Sequence, residues 1–378
     1  MIQRSMKLLI VGMFCFVSTV IDANSTEMTE ESSDLERSLN TIQSPSNTQE
    51  SFHPLQAGEY DQAYDYYIQG YYLKAFREAL RRAEQNDPFA QTLLARIYLE
   101  GCAVPIDGAR AALWFGRAAK QGEPQAQLRY GLMLFDGNFI SQNQELGEQF
   151  IRKAVDAKVK EAYFYYGELL LYKAAREKQI LAGVTSQSRE NEAIEQALKW
   201  FLKGAALGDS EAAFSAAKIL SLGTLTRPKD DHNARKLMEV AAQNKHSAAQ
   251  ILLAQWLVQG RGGETDYPRA FHLLLNNARN MIAPAQVSLA RLYRDGIGTK
   301  GDMIKAAAWY MLAQQAHIQA PDLELMLEGM DKTQLEKARK EAANLLTIFK
   351  MHHQNRLLLQ HLIRQDYIKK AEAQKAIE

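Results

Sequence analysis

The chain has 378 residues, a formal net charge of +1 and 24% charged residues. This balance excludes a strong overall attraction to nucleic acid or to an acidic membrane surface, so a function of that kind would need a local charged patch. The length would allow two or three domains, but an internal repeat of about 36 residues predicts that most of the chain stacks into one elongated unit.

Residues 1–23 have the pattern of an export signal. Arg4 and Lys7 precede an apolar run from Leu8 to Ile21, and Ala23 offers a small residue for cleavage before Asn24. The run covers about 14 residues, whereas a membrane-spanning helix needs about 20. We expect a cleaved signal peptide and a periplasmic protein. Secretion, or anchoring in the inner membrane by residues 8–21, are the alternatives.

Residues 24–58 predict a disordered acidic linker. They hold six acidic residues and one Arg, for a net charge of −5, and few large apolar side chains that could offset the entropy of ordering. Residues 59–87 are expected to form a degenerate N-terminal capping repeat, because Ala75, Ala79 and Ala83 match small and apolar positions of the next unit.

Six repeats are predicted in residues 88–320. Each begins with a small residue, has a second small residue five positions later and, in five copies, a Gly eleven positions later. Apolar residues recur at helical spacing after the first small residue, and an Ala-rich segment completes the unit, which predicts two antiparallel helices. The predicted repeats are 88–123, 124–159, 160–209, 210–246, 247–282 and 283–320.

The loop between the two helices contains residues that are typical of a tight turn and of a helix cap. Its Gly permits a left-handed backbone after the first helix, and an Asp six positions later can cap the second helix, as at Asp107, Asp266 and Asp302. Asn143 takes this place in repeat 124–159, so we expect a looser turn there. These recurring Gly and Asp residues are expected to be structural and not catalytic.

The repeats resemble the Sel-one-like repeat (SLR) family, which is related to the tetratricopeptide repeats. The resemblance is carried in the first repeat by Ala90, Leu94, Ala95, Tyr98, Gly101, Val104, Asp107, Arg110, Ala111, Trp114, Ala118, Ala119 and Gly122. It implies an all-α fold, namely a right-handed α/α solenoid of antiparallel helix pairs. It also implies a role in binding proteins during envelope processes or host interaction, with a penicillin-interacting or cell-wall-modifying enzyme as the alternative.

Analogy with tetratricopeptide repeats predicts a concave groove lined by positions two, six, nine and ten residues after the first small residue. The predicted partner-binding residues are Leu132, Phe135, Phe164, Glu168, Leu171, Tyr172, Phe214, Lys218, Gln255, Arg291 and Arg294. The middle residues are mostly apolar or aromatic and the later ones are polar or basic, which is typical of hydrophobic anchors with a polar rim. For Phe164 and Phe214, packing inside the stack is an equally good interpretation.

Two regions depart from the repeat. Residues 160–209 contain about 14 extra residues, including Gly183, and predict a loop insertion at one edge of the stack, which is either a contact region or a neutral extension. Residues 321–348 and 349–375 predict two further helices. The first is expected to cap the stack. The second is basic and amphipathic, and either packs back on the last repeat or docks a partner helix.

The sequence gives little support for catalysis. Ser215 and Lys218 fit the S-x-x-K string of penicillin-interacting enzymes, but they fall in an ordinary first helix and the S-D-N and K-T-G strings are absent. The eight His residues form no metal-ligand pair, and Cys102 is expected to be a partly buried filler. We therefore predict a non-enzymatic exported scaffold or adaptor that binds a protein or peptide, with no catalytic residue, metal, cofactor or nucleic-acid partner.

Overall fold

The computed structural model describes residues 61–180 and 184–351, with side-chain environments for 61–177 and 187–351. These residues form helices and no strand, which confirms the predicted all-α fold. The helices with defined bounds are α1 (Gln62–Ile68), α2 (Tyr72–Glu84), α3 (Pro88–Glu100), α4 (Gly108–Lys120), α5 (Pro124–Asp136), α6 (Gln144–Asp156), α7 (Lys160–Ile180), α8 (Val184–Ala206), α9 (Ser210–Leu222), α10 (Asp231–Gln243), α11 (Ser247–Gln259), α12 (Tyr267–Arg279), α13 (Ala283–Asp295), α14 (Met303–Gln314) and α15 (Pro321–Glu328). A further helix runs from residue 332 to residue 351, where the described part ends.

The helices divide between two compact units. Unit 1 contains described residues 61–216 and 224–226, and unit 2 contains 217–223 and 227–351. Within unit 1, α3 packs on α4 and α5 packs on α6; within unit 2, α11 packs on α12 and α13 packs on α14. Short loops join the members of each pair, as in an antiparallel helix hairpin. The predicted signal peptide and acidic linker lie outside the described residues. Among the described helices, none has the length and apolar character needed to span a membrane.

The predicted cap residues define where the helices end. Five first helices finish at a left-handed Gly with φ between 67° and 74°: Gly101, Gly137, Gly223, Gly260 and Gly296. The three predicted caps, Asp107, Asp266 and Asp302, each accept a backbone hydrogen bond at 2.9 to 3.0 Å from three residues later, and Asp230, which was not predicted, does the same at 3.0 Å. These contacts satisfy backbone groups that a helix end leaves without partners.

The loop before α6 keeps the same contacts, so the prediction of a looser turn is wrong. The Asn143 side chain accepts a hydrogen bond from the Leu146 backbone N–H at 3.0 Å. Gly137 keeps the left-handed conformation at the end of α5. Asn and Asp are nearly equal as helix N-caps because both supply a side-chain oxygen.

Small residues let the two helices of a repeat touch through their backbones. A Cβ on Gly147 would lie 2.7 Å from the carbonyl oxygen of Gly131, and a Cβ on Gly131 would lie 2.9 Å from the carbonyl oxygen of Gly147. In α3 and α4 the corresponding contacts use Ala95 and Ala111, which are fully buried. Packing this close leaves no space for a larger side chain.

A buried or half-buried Gln ties several first helices to the helix before them. It follows the first small residue of the repeat, and its amide nitrogen donates to a carbonyl eight residues earlier. The four bonds measure 2.9 to 3.4 Å and join Gln91 to Ala83, Gln127 to Ala119, Gln250 to Ala242 and Gln286 to Ala278. Each carbonyl lies in the last turn of its helix, where carbonyls lack intrahelical partners. The spacing of apolar residues did not reveal this contact.

The insertion in repeat 160–209 is helical, which corrects the prediction of a loop. Helix α7 has 21 residues and α8 has 23, whereas α3 and α4 have 13 each. The longer helices also contact neighbouring loops and helices: Lys173 pairs with Glu148 at 2.8 Å, and the Asn191 side chain accepts a hydrogen bond from the Leu225 backbone N–H at 2.8 Å. Gly183, which suggested the loop, lies outside the described residues.

In the C-terminal region, the helices begin and end at other residues than predicted. Residues 321–348 do not form one helix, because α15 ends at Glu328 and the next helix begins at residue 332 after Asp331, whose side chain accepts from the Gln334 backbone N–H at 2.8 Å. That helix continues through residue 349 without a break. The Phe349 ring stacks on Trp309 of α14, with ring centroids 5.6 Å apart, so this helix packs on the last repeat. Residues 352–375 of the predicted basic helix lie outside the described part.

Candidate functional site

Most predicted groove residues of unit 1 lie in the interior. Leu132, Phe135, Phe164, Glu168 and Leu171 have exposed fractions of only 1% to 8%. A buried side chain cannot meet a partner unless the fold rearranges. The predicted groove is therefore corrected for these five residues, which contribute to packing within the stack.

Aromatic packing between helices closes this face. Phe135 meets Tyr172 of α7 edge to face, with ring centroids 5.3 Å apart. Arg176, on the added length of α7, lies over the Tyr172 ring at 5.9 Å, and the Gln144 side chain donates to the Tyr172 hydroxyl at 3.3 Å. The analogy with tetratricopeptide repeats failed for Phe135 because its ring packs against Tyr172 of α7, which is itself half-buried.

The predicted groove residues of unit 2 have different environments. Asp322 of α15 accepts hydrogen bonds from Arg291 at 2.8 and 2.9 Å and from Arg294 at 2.8 Å. The two Arg291 hydrogen bonds, with the one from Arg294, hold the pKa of Asp322 well below its usual range. The two Arg residues thus tie α13 to α15. Lys218 is half-buried on α9, and Gln255 is exposed on α11. Phe214, on the part of α9 in unit 1, is also half-buried.

Exposed apolar side chains occur in the loops that join the first helix of a repeat to the second. We call the margin formed by these loops the loop edge. In unit 1 it carries Ile106, Phe139 and Leu225, with exposed fractions of 68%, 48% and 63%. Large apolar residues exposed close together are typical of contact surfaces, whereas single ones are normal on any protein.

Ile106 and Phe139 belong to the same part of the loop edge. Phe139 follows α5, and its ring lies on Gly108 at the start of α4, two residues after Ile106. A Cβ on Gly108 would lie 2.1 Å from a ring carbon of Phe139, so the absence of a side chain at Gly108 makes room for the ring. The ring is therefore supported on one side and half exposed.

Phe139 also has an unfavourable backbone. Its φ is 66°, in the left-handed region. Two other repeats have Gly262 and Gly298 two residues after the loop Gly, with φ of 73° and 69°. A bulky residue in this region is a genuine outlier, with a cost of roughly 1 to 2 kcal/mol compared with Gly. Sequence reasoning missed Phe139, although an aromatic residue where other repeats have Gly was a visible signal.

The residues that the sequence offered for metal binding or catalysis lie apart or on ordinary helices in the described part of the chain. Its His, Cys, Asp and Glu side chains include no group of three that could hold a metal ion. Ser215 and Lys218 lie one turn apart on α9 and are half-buried. Cys102 is half-buried against the core of unit 1, and burial raises the pKa of its thiol, which lowers the fraction of reactive thiolate. This environment agrees with the predicted filler role.

Solved structures share the fold. The structure of c5321, described as a protective antigen present in uropathogenic Escherichia coli strains and displaying an SLR fold, aligns with a TM-score of 0.62 at 22% identity, covering 78% of this chain and 63% of that chain. A Sel1 repeat protein from Oxalobacter formigenes aligns with a TM-score of 0.56 at 26% identity, covering 67% of this chain and 98% of that chain. Together they confirm the solenoid fold of helix pairs.

Sequence comparisons agree with the structures. The Sel1-repeat-containing protein YjcO of Escherichia coli K12 is 33% identical over 129 residues, which are 32% of this chain and 54% of that protein. The chain thus covers about half of this curated relative. The family model of the Sel1 repeat matches residues 88–123, 124–159, 189–209, 210–246, 247–275 and 283–313, which make up half of the chain. The chain therefore belongs to the Sel1 repeat family.

Proposed function

We propose that the protein is an exported, non-enzymatic scaffold that binds a protein partner through the loop edge of unit 1. The Sel1-repeat solenoid is compatible with protein binding. The observation that carries the proposal is Phe139, a half-exposed aromatic residue held in a strained backbone conformation. Strain of this kind persists where the surrounding structure imposes it, and it concentrates at functional sites. Aromatic residues are frequent hot spots of protein interfaces.

The loop edge replaces the groove as the proposed contact surface. Ile106 adds a second exposed apolar side chain to the loop edge, two residues before the Gly108 on which the Phe139 ring lies. Both residues come from loops, which tolerate specialised side chains better than packed helices do. The groove residues Phe135 and Leu132 are already used for packing. Gln255, the exposed groove residue of unit 2, provides a comparison surface.

Export is part of the proposal and is supported by residues 1–23. Their basic start, apolar run and small residue before Asn24 fit a signal peptide. Cell fractionation followed by N-terminal sequencing tests this point. We expect a periplasmic protein that begins at Asn24. A cytoplasmic protein, or a membrane fraction that begins at Met1, would refute periplasmic export with cleavage.

The binding test compares capture from the native cell envelope by three baits. They are the wild type, Phe139→Gly and Gln255→Arg. We expect one partner to be captured by the wild type and by Gln255→Arg, and to be lost with Phe139→Gly. If Gln255→Arg alone failed to capture the partner, the contact would lie on the first helices of unit 2 and not on the loop edge. Gly108→Ala provides a second variant, since its methyl group would displace the Phe139 ring without removing it.

A further inference from the structure

Helices α2 and α4, which are the second helices of the first two helix pairs, have a basic face turned toward solvent. Helix α2 carries four bases and two acids, and α4 carries three bases and no acid. Lys74, Arg77, Arg117 and Lys120 are exposed on these helices. We call these four residues the basic face. Both helices bury their small residues, including Ala79 and Ala118, on the other side, so the bases occupy the face turned away from the core.

The charges of the basic face are not neutralised within the described part of the chain. Arg81, also on α2, pairs with Glu78 at 2.5 Å, and Arg110, at the start of α4, pairs with Asp107 at 3.2 Å. The four residues of the basic face form no ion pair with another described residue. Arg117 lies over the Trp114 ring at 4.6 Å, and Lys74 lies over the Tyr71 ring at 5.2 Å, which leaves their charge available.

Two exposed apolar residues accompany the bases. Leu73 precedes Lys74 on α2 and is 60% exposed, and Leu113 lies one turn before Arg117 on α4 and is 52% exposed. The two helices are linked through Tyr98 of α3, which contacts the Phe76 ring at 5.6 Å and the Arg110 guanidinium at 5.6 Å. The surface therefore combines positive charge with apolar contacts.

The N-terminal segment has the complementary pattern. Glu27, Glu30, Glu31 and Asp34 recur at the spacing of one helix face. Apolar residues recur beside them at a helical period, namely Met28, Leu35, Leu39 and Ile42. We propose that residues 27–42 of the chain dock on the basic face, with the carboxylates against the bases and the apolar residues against Leu73 and Leu113.

The chain length permits this contact within one molecule. Twenty-four residues separate Glu36 from Asp61, the first described residue. A segment of that length can span up to about 80 Å, which is several times the distance of 8 to 10 Å between the axes of packed helices. Covalent linkage gives the segment a millimolar effective concentration, so even a weak interaction is populated.

Zero-length carbodiimide cross-linking of the purified chain retaining residues 24–378 tests the contact. The reagent joins a carboxylate to a lysine amine that touches it. We expect cross-links from residues 27–36 to Lys74 and Lys120 at 25 mM NaCl, and at least a fivefold loss at 500 mM because salt screens the charges. The double variant Arg77→Glu with Arg117→Glu should lose these cross-links to the same extent as high salt does, although Lys74 and Lys120 remain.

Matched controls separate the outcomes. Arg279→Glu, at an exposed position of unit 2, should leave the cross-links unchanged. Circular dichroism of the double variant should match the wild type, and Arg77→Lys with Arg117→Lys should retain the cross-links. Equal yields in the double variant, or cross-links spread over lysines of unit 2, would overturn the proposal. Cross-links between isotopically distinct copies would also overturn it, because the occupant would then be a second molecule.

Discussion

At the scale of single residues, the free-energy cost of an ionised helix-capping side chain depends on how deeply that side chain is buried. Asp209 precedes α9, and its side chain accepts a hydrogen bond from the Ala212 backbone N–H at 2.7 Å. It is only 6% exposed, and burial raises its pKa to about 6. The ionised carboxylate is therefore disfavoured in the folded state. Below about pH 4 the group is protonated in both states, so the free energy of unfolding falls as the pH rises from about 4 to about 6.

We predict that Asp209→Asn raises the free energy of unfolding at pH 7.5 by on the order of 2 kcal/mol. Asn keeps a side-chain oxygen for the cap but carries no charge. At pH 4 the variant and the wild type should be equally stable. Urea denaturation at the two pH values measures this difference. Asp107→Asn, at a more exposed cap, is the control and should show little change; equal effects of Asp209→Asn at both pH values would contradict the account.

Residue-scale features differed in how far the sequence predicted them. Asp107 and Gly101 were predictable because only a few residue types satisfy a helix cap or a left-handed turn. The backbone of Phe139 is not indicated by its side chain, and only its register with Gly262 and Gly298 could have revealed it. The burial of Phe135 involves its contact with Tyr172, which belongs to α7 in another repeat.

At the scale of helices, close backbone contact limits side-chain size. Gly147→Ala would place a methyl group 2.7 Å from the Gly131 carbonyl oxygen and 2.8 Å from the Phe135 backbone nitrogen. Neither atom can move without displacing a helix. We predict a loss of about 1 to 3 kcal/mol in the free energy of unfolding, measured by chemical denaturation.

The matched control is Gly329→Ala after α15. Its nearest atom would be 3.7 Å away, which is ordinary contact, and its φ is −78°. This variant should stay within about 0.5 kcal/mol of the wild type. A similar loss in both variants would show that the destabilisation comes from replacing Gly and not from the contact of α5 with α6.

The extended α8 supports the loop that contains Leu225. Asn191 is buried, accepts from the Leu225 N–H and donates to the Thr226 hydroxyl at 3.1 Å. We predict that Asn191→Ala lowers the free energy of unfolding by about 1 kcal/mol and speeds hydrogen exchange of the Leu225 amide, because its side-chain acceptor is lost. Gln196→Ala, at an exposed position of the same helix, should change neither quantity. Unchanged exchange in Asn191→Ala would contradict this role.

The helices themselves were largely predictable, and the insertion was not. Six repeats in register identified the first and second helices, since period and small residues repeat together. In repeat 160–209, Gly and polar residues suggested a loop. The segment contains no Pro, however, and its Ala, Glu, Lys and Leu residues favour helix. Packing against Glu148 and Leu225 adds support that no local pattern contains.

At the scale of the whole molecule, family membership and fold fix the architecture but not the partner. The repeat supplies helix pairs and leaves the loops free to vary, as Ile106 and Phe139 show. The sequence placed the binding surface on the first helices by analogy with a related repeat. In unit 1 most of those positions are occupied by packing, whereas Ile106, Phe139 and Leu225 are exposed in the loops. Helix patterns predict a core well, but they do not reveal which surface is left open.

The most direct test of the loop-edge proposal measures two quantities for Phe139→Gly: its free energy of unfolding and its affinity for the captured partner. Relief of roughly 1 to 2 kcal/mol of left-handed strain opposes the loss of the ring contact, so stability should stay within about 1 kcal/mol of the wild type. Affinity should fall at least tenfold, as expected for an aromatic hot spot. Wild-type affinity in this stably folded variant would contradict binding through the loop edge.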